Sequence, residues 1–255
     1  MNILVFDTET VNLEKPFAYN IGYVIYSTDS AEILAKRDYV VEQVWHNPML
    51  FTTAYYADKR DLYIGRMRSR KCLMDKFGYI TQAMYRDIKE YNITHAFAYN
   101  SDFDVRVFNW NCDWFKCINP LDTLQVHDIR GQVHEKIATT KDFQEFCDRY
   151  ELFTEGGNYS TTAEAVYRYI TDSSDFVEEH TALADSLIEL DILRFCAETA
   201  EDWETDYKVK RFIPRIVRKT FEVIDAEGNR HQFPYTNKRK ITGVDGVRLT
   251  IKEEE

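Results

Sequence analysis

Three observations predict an α/β fold: the chain opens on an extended segment with apolar residues on both faces, two more extended segments follow it, and a helical repeat then feeds another short strand. In the opening segment Ile3, Val5, Asp7 and Glu9 share one face and Leu4, Phe6 and Thr8 the other, the pattern of a central strand covered on both sides. Residues 20–26 and 33–41 read as strands separated by the turn-forming Ser27, Thr28, Asp29 and Ser30, an antiparallel meander. Ile80, Met84 and Ile88 recur at helical spacing before a strand at residues 94–99.

Residues 142–152 and 161–170 read as helices, and Thr161 with Glu164 has the spacing of a capping box. The strongest helical stretch is residues 181–200, with Leu183, Leu187, Leu190, Leu193 and Ala197 on one stripe, suited to packing on a sheet. Extra loop structure is expected between residues 112 and 141. After residue 205 the composition shifts: Lys208, Lys210, Arg211, Arg215, Arg218 and Lys219 cluster, and residues 225–229 offer a hairpin turn between strand-like runs. The expected organisation is a main domain over residues 1–204 and a basic, β-rich extension over residues 205–255. The basic cluster can track a nucleic-acid backbone or form the wet face of the extension.

The 255 residues are 44% hydrophobic and 15% aromatic with only 9 Gly and 5 Pro, which excludes intrinsic disorder and collagen-like repetition. No apolar run reaches the ~18–20 residues of a membrane span, and the first residues lack the pattern of a signal peptide, so a soluble cytoplasmic protein with no membrane partner is expected. Five scattered cysteines suit reduced thiols; Cys112, Cys117 and His127 lack the paired spacing of a structural zinc site and read as ordinary packing residues. The net charge of −11, from 43 acidic and 32 basic residues, repels nucleic acid overall, so a phosphate partner must be met locally.

Glycine-rich dinucleotide and P-loop signatures and the serine-hydrolase elbow are absent from the sequence, which turns attention to carboxylates. Asp7 and Glu9 end the first strand on one face, where two carboxylates repel unless protonated or bridged by a cation such as Mg2+ or Mn2+. Asp102 and Asp104 follow the strand that ends at Tyr99, placed to face the first pair across the sheet end. Asp104 is the preferred ligand, Asp102 the alternative, and either can instead start the helix that follows. His180 and Asp185 stand at the head of the long helix. Five residues span about 500° of α-helix, so the two side chains would diverge if both were helical, and His180 belongs on the preceding loop. There an imidazole can act as a mobile base beside a fixed ligand. Tyr99, Phe103, Trp110 and Trp114 either pack the core or offer flat rings to unpaired bases.

Taken in order, Phe6-Asp7-Thr8-Glu9-Thr10, Asn100-Ser101-Asp102-Phe103-Asp104 and His180-Thr181-Ala182-Leu183-Ala184-Asp185, with Asp122-Thr123-Leu124 and Thr162-Ala163-Glu164-Ala165 in support, resemble the DEDDh branch of the DnaQ-like 3′–5′ exonucleases. That family includes proofreading subunits, oligoribonuclease and ribonuclease T, and the resemblance spans residues 1–200. It implies a ribonuclease H-like fold, a mixed five-stranded sheet with three antiparallel strands flanked by helices. It also implies that Asp7, Glu9 and Asp185 hold one divalent ion, Asp7 and Asp104 a second, and that His180 takes the proton of the attacking water. The ions would be Mg2+ or Mn2+ and the substrate single-stranded DNA or frayed 3′ ends, with RNA the alternative and nucleoside 5′-monophosphates the product. A non-catalytic binding module on the same fold is a rival reading. Work beside a polymerase is compatible with the family, and a DNA-replication setting follows by analogy alone. One departure stands out: Val11 and Asn12 follow Thr10, where the family commonly places a glycine that lets the terminal nucleotide approach the backbone.

Overall fold

The computed structural model describes residues 1–54, 57–210, 212–215, 218–224, 229–236 and 248–252. Six strands form one sheet: β1 (Asn2–Thr10), β2 (Ala18–Ser27), β3 (Glu32–Val41), β4 (Leu73–Asp75), β5 (His95–Ala98) and β6 (Gln125–Asp128), in the order β4-β3-β2-β1-β5-β6. β1, β2 and β3 are mutually antiparallel, while β5 runs parallel to β1, β6 parallel to β5 and β4 parallel to β3. The five-stranded expectation is thus corrected by β4, a three-residue edge strand too short to show alternation in sequence. The expectation of loops between residues 112 and 141 is corrected by β6, which hides in a four-residue run with a polar, half-exposed pattern.

The helices are α1 (Glu42–Trp45), α2 (Pro48–Phe51), α3 (Arg60–Arg68), α4 (Phe77–Glu90), α5 (Ser101–Phe115), α6 (Ile129–Lys136), α7 (Lys141–Arg149), α8 (Ala163–Ile170) and α9 (Ala182–Cys196). Strand alternation sorts the core into two layers. Leu4 and Phe6 join Phe77, Ile80, Met84, Val107 and Phe108 of α4 and α5 on one side of the sheet. Ile3 and Val5 join Ile188, Ile192 and Leu193 of α9, with Val133 and Phe143, on the other. Both clusters are fully buried at their centres, and burial of this much apolar surface is the main force holding the layers together.

The boundaries of α8 and α9 differ from expectation, and α7 ends at Arg149, three residues short of the expected end. α8 begins one residue later than the capping box implies: Thr162, not Thr161, accepts the Ala165 amide at 3.2 Å, and Glu164 pairs with Arg168 instead of closing the box. α9 stops at Cys196, and a 3-10 turn, Ala200–Trp203, follows, held by reciprocal bonds between Thr199 and Asp202. The buried residues of α9 include Ala182, Ser186, Ile188, Glu189, Leu190, Ile192 and Leu193, whereas Leu183 and Leu187 are only partly covered.

Beyond the main sheet, β7 (Arg218–Ile224), β8 (Arg230–Thr236) and β9 (Arg248–Lys252) form an antiparallel sheet ordered β8-β7-β9. The expected hairpin turn at residues 225–229 falls largely outside the described residues, as does Arg211 of the basic cluster. Ile213 is buried against the α9 layer and its carbonyl accepts the Tyr159 amide at 3.0 Å. Lys210 donates to Glu135 at 3.4 Å and Arg215 to Asp148 at 2.7 Å, so these two cations of the cluster meet acidic groups of the body. All five cysteines are free thiols. Among the described residues no helix is long and apolar enough to cross a membrane.

Candidate metal centre

Asp7 and Glu9 continue the Ile3-Val5 row of β1 and so face α9 where the strand ends. α9 is drawn onto that spot by two polar and one steric feature. Asn20, opposite Glu9 on β2, accepts the Ala182 amide at 2.8 Å and so caps the helix from across the sheet, a task the Thr181 side chain does not perform. Ser186 donates to the Gly22 carbonyl at 3.1 Å. Gly22, opposite Asp7, leaves the space: a Cβ there would lie 2.1 Å from the Leu183 amide nitrogen and 2.2 Å from the Ala182 carbonyl carbon. The first turn of α9 therefore lies directly on the strand and delivers Asp185 to Asp7 and Glu9.

One ligand oxygen from each of Asp7, Glu9 and Asp185 lies within 4.8 Å of the other two. Asp104 enters from the opposite layer in the first turn of α5. Asn100 starts that helix in the left-handed region at φ 66°, and its amide is held by Asp128 at 2.9 Å. The Thr8 hydroxyl donates to Asp104 at 2.6 Å, tying the α5 carboxylate to the strand that carries Asp7. Asp104 is buried and Asp102 exposed, so of the two candidates it is Asp104 that the fold directs toward Asp7.

The electrostatics follow from crowding like charges in a desolvated place. Burial first, then Asp104 and Glu178, pushes the Asp7 carboxyl well above the usual carboxylate range. Glu9 is raised by burial, then by Asp7 and Asp185, with Lys59 opposing. Burial raises Asp104 to about 7 against the stabilising Thr8 bonds. Burial, then the charge of Asp7, raises Asp185 to about 8, again with Lys59 opposing. One Asp185 oxygen, Oδ1, is buried without a hydrogen-bond partner. An all-carboxylate donor set with an orphaned oxygen suits a hard divalent cation such as Mg2+ or Mn2+, which would take the place of the protons these raised carboxyls otherwise retain.

His180 lies outside α9, as its spacing from Asp185 requires, in the left-handed region at φ 52°. Its neighbours on both sides are gripped by Arg66 of α3, which pairs with Glu179, bonds Thr181 at 3.3 Å and anchors to Asp38 at 2.8 Å. Lys59 donates to the Glu179 carbonyl. The His180 Nδ1 is 3.6 Å from Glu178, and its pKa is lowered, by burial first and Lys59 second. Glu164, Glu178 and His180 form a second cluster within 4.8 Å, in which Arg168 already pairs with Glu164 at 2.6 Å.

Several residues around the centre carry no sequence motif. Lys59, Arg66 and Asn20 reach it only through tertiary folding. Glu178 and Glu189 had a readable signal, proximity to His180 and a position one helical turn beyond Asp185. Beside Glu9 a pocket of about 410 Å³ is lined by Thr10, Val11, Leu13, Thr53 and Phe103. Trp110 is partly buried in the α5 layer, whereas Trp114 is exposed and meets Phe17 edge to face.

The fold is ribonuclease H-like, of the kind found in DEDDh 3′–5′ exonucleases, with the acidic residues gathered at the ends of its parallel strands. Among solved structures, the chain is similar to the nuclease domain of 3′hExo, a DEDDh family member bound to rAMP, with 12% identity and a TM-score of 0.54 over 83% of this chain and 97% of that one. It is similar to Escherichia coli exonuclease I in complex with a dA16 oligonucleotide, with 13% identity and a TM-score of 0.50, covering 80% of this chain but only 42% of the exonuclease I chain. A 3′-exonuclease solved in 3′-end-specific recognition of a histone mRNA stem-loop matches with 12% identity and a TM-score of 0.51 over 98% of this chain and 76% of its own. No family model matches the chain, and no curated protein does.

Proposed function

We propose that this protein is a divalent-metal-dependent 3′–5′ exonuclease acting on single-stranded DNA or frayed 3′ ends and releasing nucleoside 5′-monophosphates. The observation that carries this reading is the meeting of Asp7, Glu9 and Asp185 within 4.8 Å, with Asp104 reaching the same strand end from the other layer. In this reading Asp7, Glu9 and Asp185 hold one divalent ion, and Asp7 and Asp104 a second. Two such ions, when bound, polarise the phosphodiester and stabilise the entering and departing oxygens of an in-line displacement. His180 stays neutral at working pH because its pKa is lowered, and its imidazole accepts the proton of the attacking water. Arg66 holds the residues on either side of His180, which supports a fixed place for the imidazole in this reading. Val11, Leu13 and Phe103 give the pocket beside Glu9 apolar walls for the terminal base.

RNA is the second reading, favoured by the rAMP and histone mRNA stem-loop in two of the similar structures. Matched DNA and RNA strands, labelled at either end and incubated with Mg2+ or EDTA, separate the possibilities. The expected result is immediate release of a 3′ label as mononucleotide, a ladder of shortening 5′-labelled products, and no cleavage in EDTA. Asp7→Ala removes ion binding and cleavage together, whereas His180→Ala lowers turnover by about 100-fold or more and leaves ion binding in place. Internal cuts, loss of the 5′ label first, or cleavage in EDTA would overturn the assignment. Strand binding without cleavage, unchanged in Asp7→Ala, would make the protein a binding module. Faster trimming of RNA selects the second reading.

A further inference from the structure

A buried acidic side chain stands on the face of α9 that carries Asp185 and has no part in the mechanism above. Glu189 lies four residues beyond Asp185 on α9, about 40° around the axis, and so shares its face. It is only 3% exposed, among the Ile188, Ile192 and Leu193 side chains that pack the layer. The backbone amide of Tyr99, just past the end of β5, bonds its carboxylate, but Oε2 is buried with no hydrogen-bond partner. Burial, then the charges of Asp7, Asp104 and Asp185 in that order, pushes its carboxyl well above the usual range, with the Tyr99 amide opposing.

An ionisable group at an apolar position with one oxygen left bare is costly, and a leucine would pack there without that cost. The orphaned oxygen and the acidic neighbours together mark the position as one that serves a cation. We propose that Glu189 is a fifth carboxylate of the metal centre, holding a divalent ion jointly with Asp7 and Asp104. The proposal rests on the reading of the site as a divalent-metal centre and adds a ligand to the ion that otherwise has only two protein carboxylates.

The rival role for Glu189 is a clasp that fastens the end of β5 to α9 through the Tyr99 amide. Calorimetric titration of Mn2+ into the metal-free full chain separates the two. Wild type is expected to bind two ions. Glu189→Gln should keep one and bind the other at least about 10-fold more weakly, since a lost supporting carboxylate costs that much or more. Its metal-free melting temperature should not fall, because a neutral amide is easier to bury and can still accept from Tyr99. Two ions bound with wild-type affinity by the variant, or a lower metal-free melting temperature with affinity intact, would overturn the proposal in favour of the clasp. Should Glu189→Gln not fold, Glu189→Met, unbranched and uncharged, is titrated in its place, and failure of both to fold also assigns the residue to packing. A wild type that binds no Mn2+, or an Asp7→Asn variant that binds it normally, would instead bring down the reading of the whole site.

Discussion

Asp104 and Asp185 titrate at about 7 and about 8 because the fold removes them from water and sets them beside other carboxylates. In the unfolded chain both would titrate near the ordinary aspartate value of about 3.9. At these two groups the folded, metal-free protein therefore binds more protons than the unfolded chain from about pH 4 to pH 8, and they subtract stability as pH rises through that window. A divalent cation replaces the protons, so its stabilising effect must grow with pH. The rise in melting temperature on adding Mg2+ is expected to be larger at about pH 8 than at about pH 5.5; an equal rise at both would contradict the metal-centre reading. The meeting of Asp7, Glu9 and Asp185, with Asp104 tied to the same strand through Thr8, was legible because each stands at the end of a strand or the start of a helix, where order and spacing survive in sequence; His180 is gathered instead with Glu164 and Glu178. Lys59, Arg66 and Asn20 were not legible, because their roles depend on contacts across 113 to 162 residues of chain.

At the scale of elements, the register between β2 and α9 sets the centre. The Ala182 and Leu183 backbone occupies the volume a side chain at position 22 would need. Gly22→Ala must lift the helix, because main chain on both sides cannot yield as a flexible side chain would. A loss of about 2 kcal/mol or more in unfolding free energy is expected, with weaker Mn2+ binding as Asp185 moves away. Gly65→Ala in α3, where nothing lies within 4 Å of an added Cβ, is the control and is expected to be neutral or stabilising by up to about 1 kcal/mol. Unchanged stability and ion binding in Gly22→Ala, measured by denaturant unfolding and calorimetry, would remove the steric part of the account. The long central strand, the meander and the helix carrying Ile80, Met84 and Ile88 were readable because their hydrophobic periods are complete. β4 and β6 were not, since three or four residues carry too few repeats to define a period. Thr161 and Thr162 also left the α8 cap ambiguous by one residue.

At the scale of the whole molecule, a chain with net charge −11 must meet a polyanion through local neutralisation. Lys210 and Arg215 are paired with Glu135 and Asp148, which favours the wet-face reading for that part of the basic cluster. In the proposed exonuclease reading, attraction for a phosphodiester draws on cations recruited by the acidic centre itself. The ribonuclease H-like fold was legible because three motifs occur in order on the elements that must bring them together; the six-strand count needed coordinates. The most direct measurement is anomalous diffraction from crystals soaked in Mn2+. One peak is expected within coordination distance of Asp7, Glu9 and Asp185 and a second beside Asp7 and Asp104. Ordered, soaked crystals with no peak among these carboxylates, or with manganese only elsewhere on the surface, would contradict the metal-centre reading.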